Sequence, residues 1–126
     1  MVQSKKTKSV PVLIVEDDAL LRMDAAVSLE EAGFEILEAS NADEAISILE
    51  GRLDIRLVFT DIDMPGSMNG LKLAQAIRGR WPPIQIVATS GHHQFSDSDF
   101  PEGSRFFSKP YRMDQVVQTF WSMLSP

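Results

Sequence analysis

At 126 residues, 44% apolar and 24% charged, the chain has the size and composition of one globular domain with its own core. It contains no cysteine, which excludes disulfides and thiolate metal sites and fits a reducing, cytoplasmic compartment. A net charge of -6 argues against nucleic acid as a direct ligand, and no apolar run approaches the roughly 18 residues that membrane insertion requires.

Residues 1–9 carry Lys5, Lys6 and Lys8 with no signal-peptide pattern behind them, which predicts a flexible, solvated tail ahead of a single domain over 10–126. Val12-Leu13-Ile14-Val15 is a continuous apolar run of the kind buried on both faces of a parallel sheet. It stops at Glu16, Asp17 and Asp18. Asp18 can cap a helix reaching about Ala32, with Leu21, Ala25 and Leu29 on its inner face and Gly33 as its stop. Phe34 to Glu38 reads as a second strand. Asn41 followed by Glu44 resembles a capping box, and Ala45, Ile48 and Leu49 give the next helix its apolar face.

Leu57-Val58-Phe59 is the third strand, closed by Thr60 and Asp61. A loop from Met64 to Gly70 leads to a helix over about 71–80, which Trp81-Pro82-Pro83 breaks. Ile84 to Ala88 makes a fourth strand. Residues 91–103 are rich in Gly, Pro, Ser and Asp and show no periodicity. Arg105 to Ser108 is a short fifth strand, and Met113 to Leu124 a last helix carrying Val116, Val117, Phe120, Trp121 and Leu124.

Strands alternating with helices predict an α/β fold with a five-stranded parallel sheet and helices on both faces. In such sheets ligands gather at the carboxyl ends of the strands, beside the switch in strand order. Glu16 and Asp17 end the first strand, Asp61 the third, Ser90 follows the fourth and Lys109 the fifth. One sheet edge would thus collect acids, a hydroxyl and an ammonium. Clustered carboxylates repel one another unless a cation or a lysine neutralises them, and several carboxylate oxygens suit a hard cation such as Mg2+.

The residues Val12-Leu13-Ile14-Val15-Glu16-Asp17-Asp18, Phe59-Thr60-Asp61-Ile62-Asp63-Met64-Pro65, Thr89-Ser90-Gly91 and Ser108-Lys109-Pro110 resemble the receiver domains of bacterial response regulators. The resemblance covers residues 10–126 and implies a flavodoxin-like (βα)5 three-layer sandwich. It further implies that Asp61 accepts a phosphoryl group with one bound Mg2+, and that a sensor histidine kinase or a histidine phosphotransfer protein donates it. Asp17 would ligate the metal directly, Glu16 would hold a metal-bound water, and Asp61 and the backbone carbonyl of Asp63 would complete the protein's share. Lys109 would contact Asp61 and then a phosphoryl oxygen, and a cis peptide bond would precede Pro110. Such a module catalyses only its own phosphorylation and dephosphorylation and acts through a downstream protein, here unidentified.

The phosphate-contacting hydroxyl falls on Ser90 when the alignment is anchored on Trp81-Pro82, and on Thr89 when it is anchored on the distance from Asp61. Ser90 is preferred. Asp63 and His92, each two residues past a site residue, would flank the path of an attacking water and set the lifetime of the phosphoryl group; a merely exposed histidine is the simpler reading of His92. Phe106 stands where the family has its aromatic switch residue, but it lacks a hydroxyl, and ordinary half-buried packing explains it nearly as well. The segment 92–101 departs from the family, so the fourth helix is expected to be short or absent.

Two other function classes compete. Asp61-Ile62-Asp63 has the Asp-x-Asp spacing of haloacid-dehalogenase phosphatases, yet that family places the motif on its first strand and follows it differently. A phosphate-independent adaptor could keep only the fold, against which the intact set Glu16, Asp17, Asp61 and Lys109 speaks. Taken alone, the acidic run could also be a solvated strand end with a helix cap.

Overall fold

Five short runs rich in apolar residues form one parallel sheet: β1 (Val10–Val15), β2 (Phe34–Ala39), β3 (Leu57–Asp61), β4 (Gln85–Ser90) and β5 (Arg105–Ser108). The computed structural model describes residues 9–66, 68–91 and 95–125. Between the strands run α1 (Ala19–Glu31), α2 (Ala42–Gly51), α3 (Gly70–Arg80) and, after β5, α4 (Met113–Leu124). The strand order is β2-β1-β3-β4-β5, so the order reverses between β1 and β3. This is the flavodoxin-like arrangement, and its ligand crevice lies where the order reverses.

Side-chain alternation along the strands builds two cores. Leu13, Val15, Val58 and Ile86 face α2 and α3, where they meet Ala45, Leu49, Leu73 and Ile77. Val12, Ile14, Phe59 and Val87 face the other way, onto Ala25 and Leu29 of α1 and Val116 and Phe120 of α4. Strands buried on both faces lose the hydrophobic-polar alternation of an open sheet, which is why they read as unbroken apolar runs.

The helix signals work locally. Asp18 accepts hydrogen bonds from the N–H groups of Leu20 and Leu21, and Gly33 turns the chain at φ 103°. Asn41 caps α2 through the Glu44 N–H, while Glu44 reaches back to Ser40 rather than to Asn41. One packing expectation is corrected. Leu21 is 47% exposed, because the first turn of α1 lines an outer groove with Pro110 and Tyr111 and Ala26 takes the inner place instead. Trp121 is 41% exposed and stacks on Phe34 at 4.4 Å.

β4 extends past Ala88 to Ser90, so both hydroxyl residues are sheet residues. The expected weakness of the fourth helix is also seen. Among the described residues of 91–103 the helical structure is a 3-10 turn, Asp97–Asp99. Short polar side chains bond to nearby backbone there in place of helical carbonyls: Asp99 accepts from the Ser96 N–H at 2.8 Å, and Asp97 from the Phe106 N–H at 2.9 Å. The second bond satisfies an outward donor of β5, an edge strand.

One glycine is fixed by a close approach. A Cβ built on Gly70 would stand 2.1 Å from the Asp61 carbonyl oxygen and 2.7 Å from the Ile62 Cα, both backbone atoms that cannot rotate away. Gly70→Ala is therefore expected to lower stability by about 1–3 kcal/mol, the usual cost of overpacking, and to displace the end of β3. Chemical denaturation measures the first; an unchanged midpoint would mean that the loop yields freely.

Candidate functional site

β1 and β3 flank the crossover, and each delivers a carboxylate to it. Glu16 directly follows β1 and Asp61 is the last residue of β3; they are 8% and 4% exposed. Asp17, next in the chain, is exposed. One carboxylate oxygen from each of Glu16, Asp17 and Asp61 lies within 4.8 Å of the others. From the end of β5, the Lys109 Nζ reaches between two of these acids, 3.4 Å from Asp61 Oδ1 and 3.6 Å from Glu16 Oε1. The bond between Lys109 and Pro110 is cis.

The acids are held by the backbone. The Asp18 N–H donates to Glu16 Oε2 at 3.1 Å, and the Asp63 N–H donates to Asp61 Oδ1 at 3.3 Å. The Asp63 carboxylate turns outward to β4 and accepts from the Ser90 hydroxyl at 2.8 Å. The Lys109 N–H bonds to the Ser90 carbonyl at 2.8 Å, which ties the two strand ends together.

Burial pushes the Glu16 carboxyl up to about 7; the Asp18 N–H and Lys109 oppose the rise, and the charge of Asp61 adds to it. Burial likewise raises Asp61, against the ammonium of Lys109 and the Asp63 N–H. For Lys109, burial acts downward, but the charges of Asp61 and Glu16 outweigh it and the ammonium is held above its ordinary value. The corner is thus short of positive charge. Its donors are all carboxylate oxygens, which fits a hard divalent cation better than a soft metal.

Thr89 pairs in register with Asp61 and lines, with Glu16, Phe59 and Tyr111, a cavity of ≈ 10 Å3 beneath the acids. Ser90 lies one residue further out and is fully buried. Phe106 is half-buried and stacks on Phe100 at 5.6 Å, with Phe95 at 6.0 Å. His92 lies outside the described residues, as do residues 1–8 of the expected tail.

Three residues escaped the sequence reading. Arg22 donates through Nη1 to the Glu16 carbonyl at 2.8 Å and through Nε to Glu38 at 3.1 Å, clamping the turn that carries the acids. Tyr111 packs edge-on against Phe59, and burial beside Glu16 and Asp61 pushes its hydroxyl up to about 12. Gly70 brings α3 against the backbone of Asp61. Tyr111 follows Lys109-Pro110 and could have been suspected from that; Arg22 and Gly70 have no signal outside three dimensions.

The model of the response regulator receiver domain matches residues 12–120. The chain belongs to the response regulator receiver family. The receiver is 30% identical to the response regulator receiver protein CpdR of Brucella abortus, over 90% of this chain and 95% of that protein. It is also 32% identical to the sensor kinase CckA of that organism, where the match takes 92% of this chain but spans only 13% of CckA. The crystal structure of the response regulator TrrA of Thermotoga maritima, in complex with Mg2+-BeF, superposes with a TM-score of 0.79 at 25% identity, over 91% of this receiver and 99% of that chain. Receivers are signalling modules. Among the described residues no helix is long and apolar enough to cross a membrane.

The raised Glu16 carboxyl has a consequence for stability. Folded, it holds its proton up to about 7, whereas the unfolded chain releases it near about 4.3. The folded state thus binds more protons in that window, and stability is lost as pH rises through it. Asp61, also raised, acts in the same direction. In metal-free buffer the Tm is expected to fall between about pH 5 and pH 7.5, and Glu16→Gln to flatten that slope. A slope that Glu16→Gln leaves unaltered would assign the dependence to other groups.

Proposed function

We propose that this receiver, as a module over residues 10–126, accepts a phosphoryl group on Asp61 in a Mg2+-dependent reaction and thereby switches which protein it binds. The donor is a sensor histidine kinase or a histidine phosphotransfer protein. The observation that carries the reading is the Lys109 ammonium set between Asp61 and Glu16 inside a group of three carboxylates. A solvated strand end has no reason to bury two acids around a lysine.

The chemistry follows from these residues. Phosphoryl transfer is governed by positioning and charge neutralisation. An ionised Asp61 oxygen attacks phosphorus; the new O–P bond forms as the P–N bond to the donor's imidazole breaks, and its electron pair stays on the imidazole nitrogen. Lys109 offsets charge on the phosphoryl oxygens and keeps Asp61 aimed outward. Ser90 donates a hydrogen bond to the same oxygens. It is chosen over Thr89 because its hydroxyl is linked through Asp63 to the Asp61 carboxylate at the outer rim. Mg2+ would be held by Asp17, Asp61 and the Asp63 carbonyl, with Glu16 beside them, and supplies further charge neutralisation. The Mg2+-BeF complex of TrrA supports this choice of ion. Asp63 and His92 would tune how long the acyl phosphate survives, and Phe106 would respond to it.

Incubation with acetyl phosphate and Mg2+, followed by intact mass, tests the proposal. One acid-labile phosphoryl group per chain is expected, and none on Asp61→Asn with the fold retained. Undiminished labelling of Asp61→Asn would place the group elsewhere. Asp17→Ala should weaken Mg2+ binding at least about tenfold, the loss typical even of residues that only support a metal ligand. Equal Mg2+ affinity by calorimetry would remove Asp17 from the metal's ligands.

A further inference from the structure

Asp63 is the residue that touches both sides of the proposed reaction. Its N–H donates to Asp61 Oδ1 at 3.3 Å. Its Oδ2 accepts from the Ser90 hydroxyl at 2.8 Å and from the Gly91 N–H at 3.4 Å. Asp63 is exposed, whereas Ser90 is fully buried. A serine hydroxyl has one proton and donates one hydrogen bond at a time. A phosphoryl oxygen on Asp61 needs that same proton.

We infer that Asp63 is a competing acceptor: it holds the Ser90 hydroxyl in the unloaded receiver, and loading Asp61 moves that hydrogen bond from a carboxylate to the phosphoryl group. The inference rests on Asp61 as phosphoacceptor and Ser90 as the contacting hydroxyl. A bond to an ionised carboxylate is stronger than one to a neutral group, so the competition is not trivial. The exchange also loosens a tie between two strand ends. While the Ser90 hydroxyl is bound to Asp63, the end of β4 is fastened to the chain leaving β3. Once the hydroxyl turns to the phosphoryl group, that side-chain bond is given up, whereas the Gly91 N–H contact to Asp63 does not depend on it. Asp63 is thereby a positioning residue for the reaction.

Asp63 also repels an incoming anion by its charge alone, and a double-mutant cycle separates the two effects. The probe is beryllium fluoride at saturating Mg2+, its Kd measured by calorimetry on the full chain. Asp63→Ala keeps the backbone N–H and carbonyl, and truncating an exposed side chain leaves no hole. Asp63→Ala should tighten binding about 3- to 10-fold more in the presence of Ser90 than in a Ser90→Ala background, the range for one hydrogen bond. Ser90→Thr, which keeps a hydroxyl, should restore the difference. An equal effect of Asp63→Ala in both backgrounds would show that Asp63 acts by charge only and overturn the inference.

Should Ser90→Ala fail to fold, Ser90→Cys serves as the background, because a thiol is only a weak donor. Asp63→Ala should then tighten binding less than it does beside Ser90; an equal effect overturns the inference. If the wild type takes neither beryllium fluoride nor phosphate from acetyl phosphate, the assignment of Asp61 has failed instead, and the inference falls with it.

Discussion

One ammonium placed between two buried carboxylates is the constraint on which the rest of the structure depends. Glu16 and Asp61 sit buried in one corner, where burial raises the cost of ionising both and the charge of Asp61 adds to the cost for Glu16. Lys109, at 3.4 and 3.6 Å from them, offsets part of that cost. It does not offset all of it, since both acids remain shifted upward. A site left short of positive charge favours a cation from solution, and under the proposed function the same lysine that tempers the two acids would meet the phosphoryl oxygens.

That arrangement needs three strand ends aligned to within a few ångströms, and the packing supplies this. The two-sided core holds β1, β3 and β4 rigidly, so Glu16, Asp61 and Ser90 move little relative to one another. Local clamps refine it. Arg22 fixes the Glu16 carbonyl from α1, the Asp18 N–H fixes the Glu16 carboxylate, and Gly70 lets α3 start against the Asp61 backbone. Each of these residues sets where an acid of the cluster stands.

The far side of β4 is built differently. Among the described residues there, a 3-10 turn with Phe95 and Phe100 packs against Phe106 of β5, and Asp97 closes the strand's outward N–H. Part of its hold comes from side chains, with Asp97 and Asp99 accepting from the N–H groups of Phe106 and Ser96.

Much of this was legible from residue order. Strands buried on both faces announce themselves as apolar runs, and Asp18, Asn41 and Gly33 mark helix ends by chemistry that acts over two or three residues. The weak fourth helix was legible for the same reason, because Ser and Asp compete locally for the backbone. Leu21 was misplaced, since periodicity gives a helix's apolar side but not how far the sheet extends beneath it. The end of β4 was read as finishing two residues too soon, because Thr and Ser pair as well in a ladder as in a loop.

The sequence by itself determined the fold class, the family and which acids and lysine would meet, because strand ends in a parallel sheet must share an edge. Only the tertiary structure decided how they meet: that Lys109 lies between Glu16 and Asp61, that the Asp63 carboxylate accepts from the Ser90 hydroxyl, and that Arg22 and Gly70 support the acids. Those relations join residues far apart in the chain, and no spacing along one dimension encodes a distance across three.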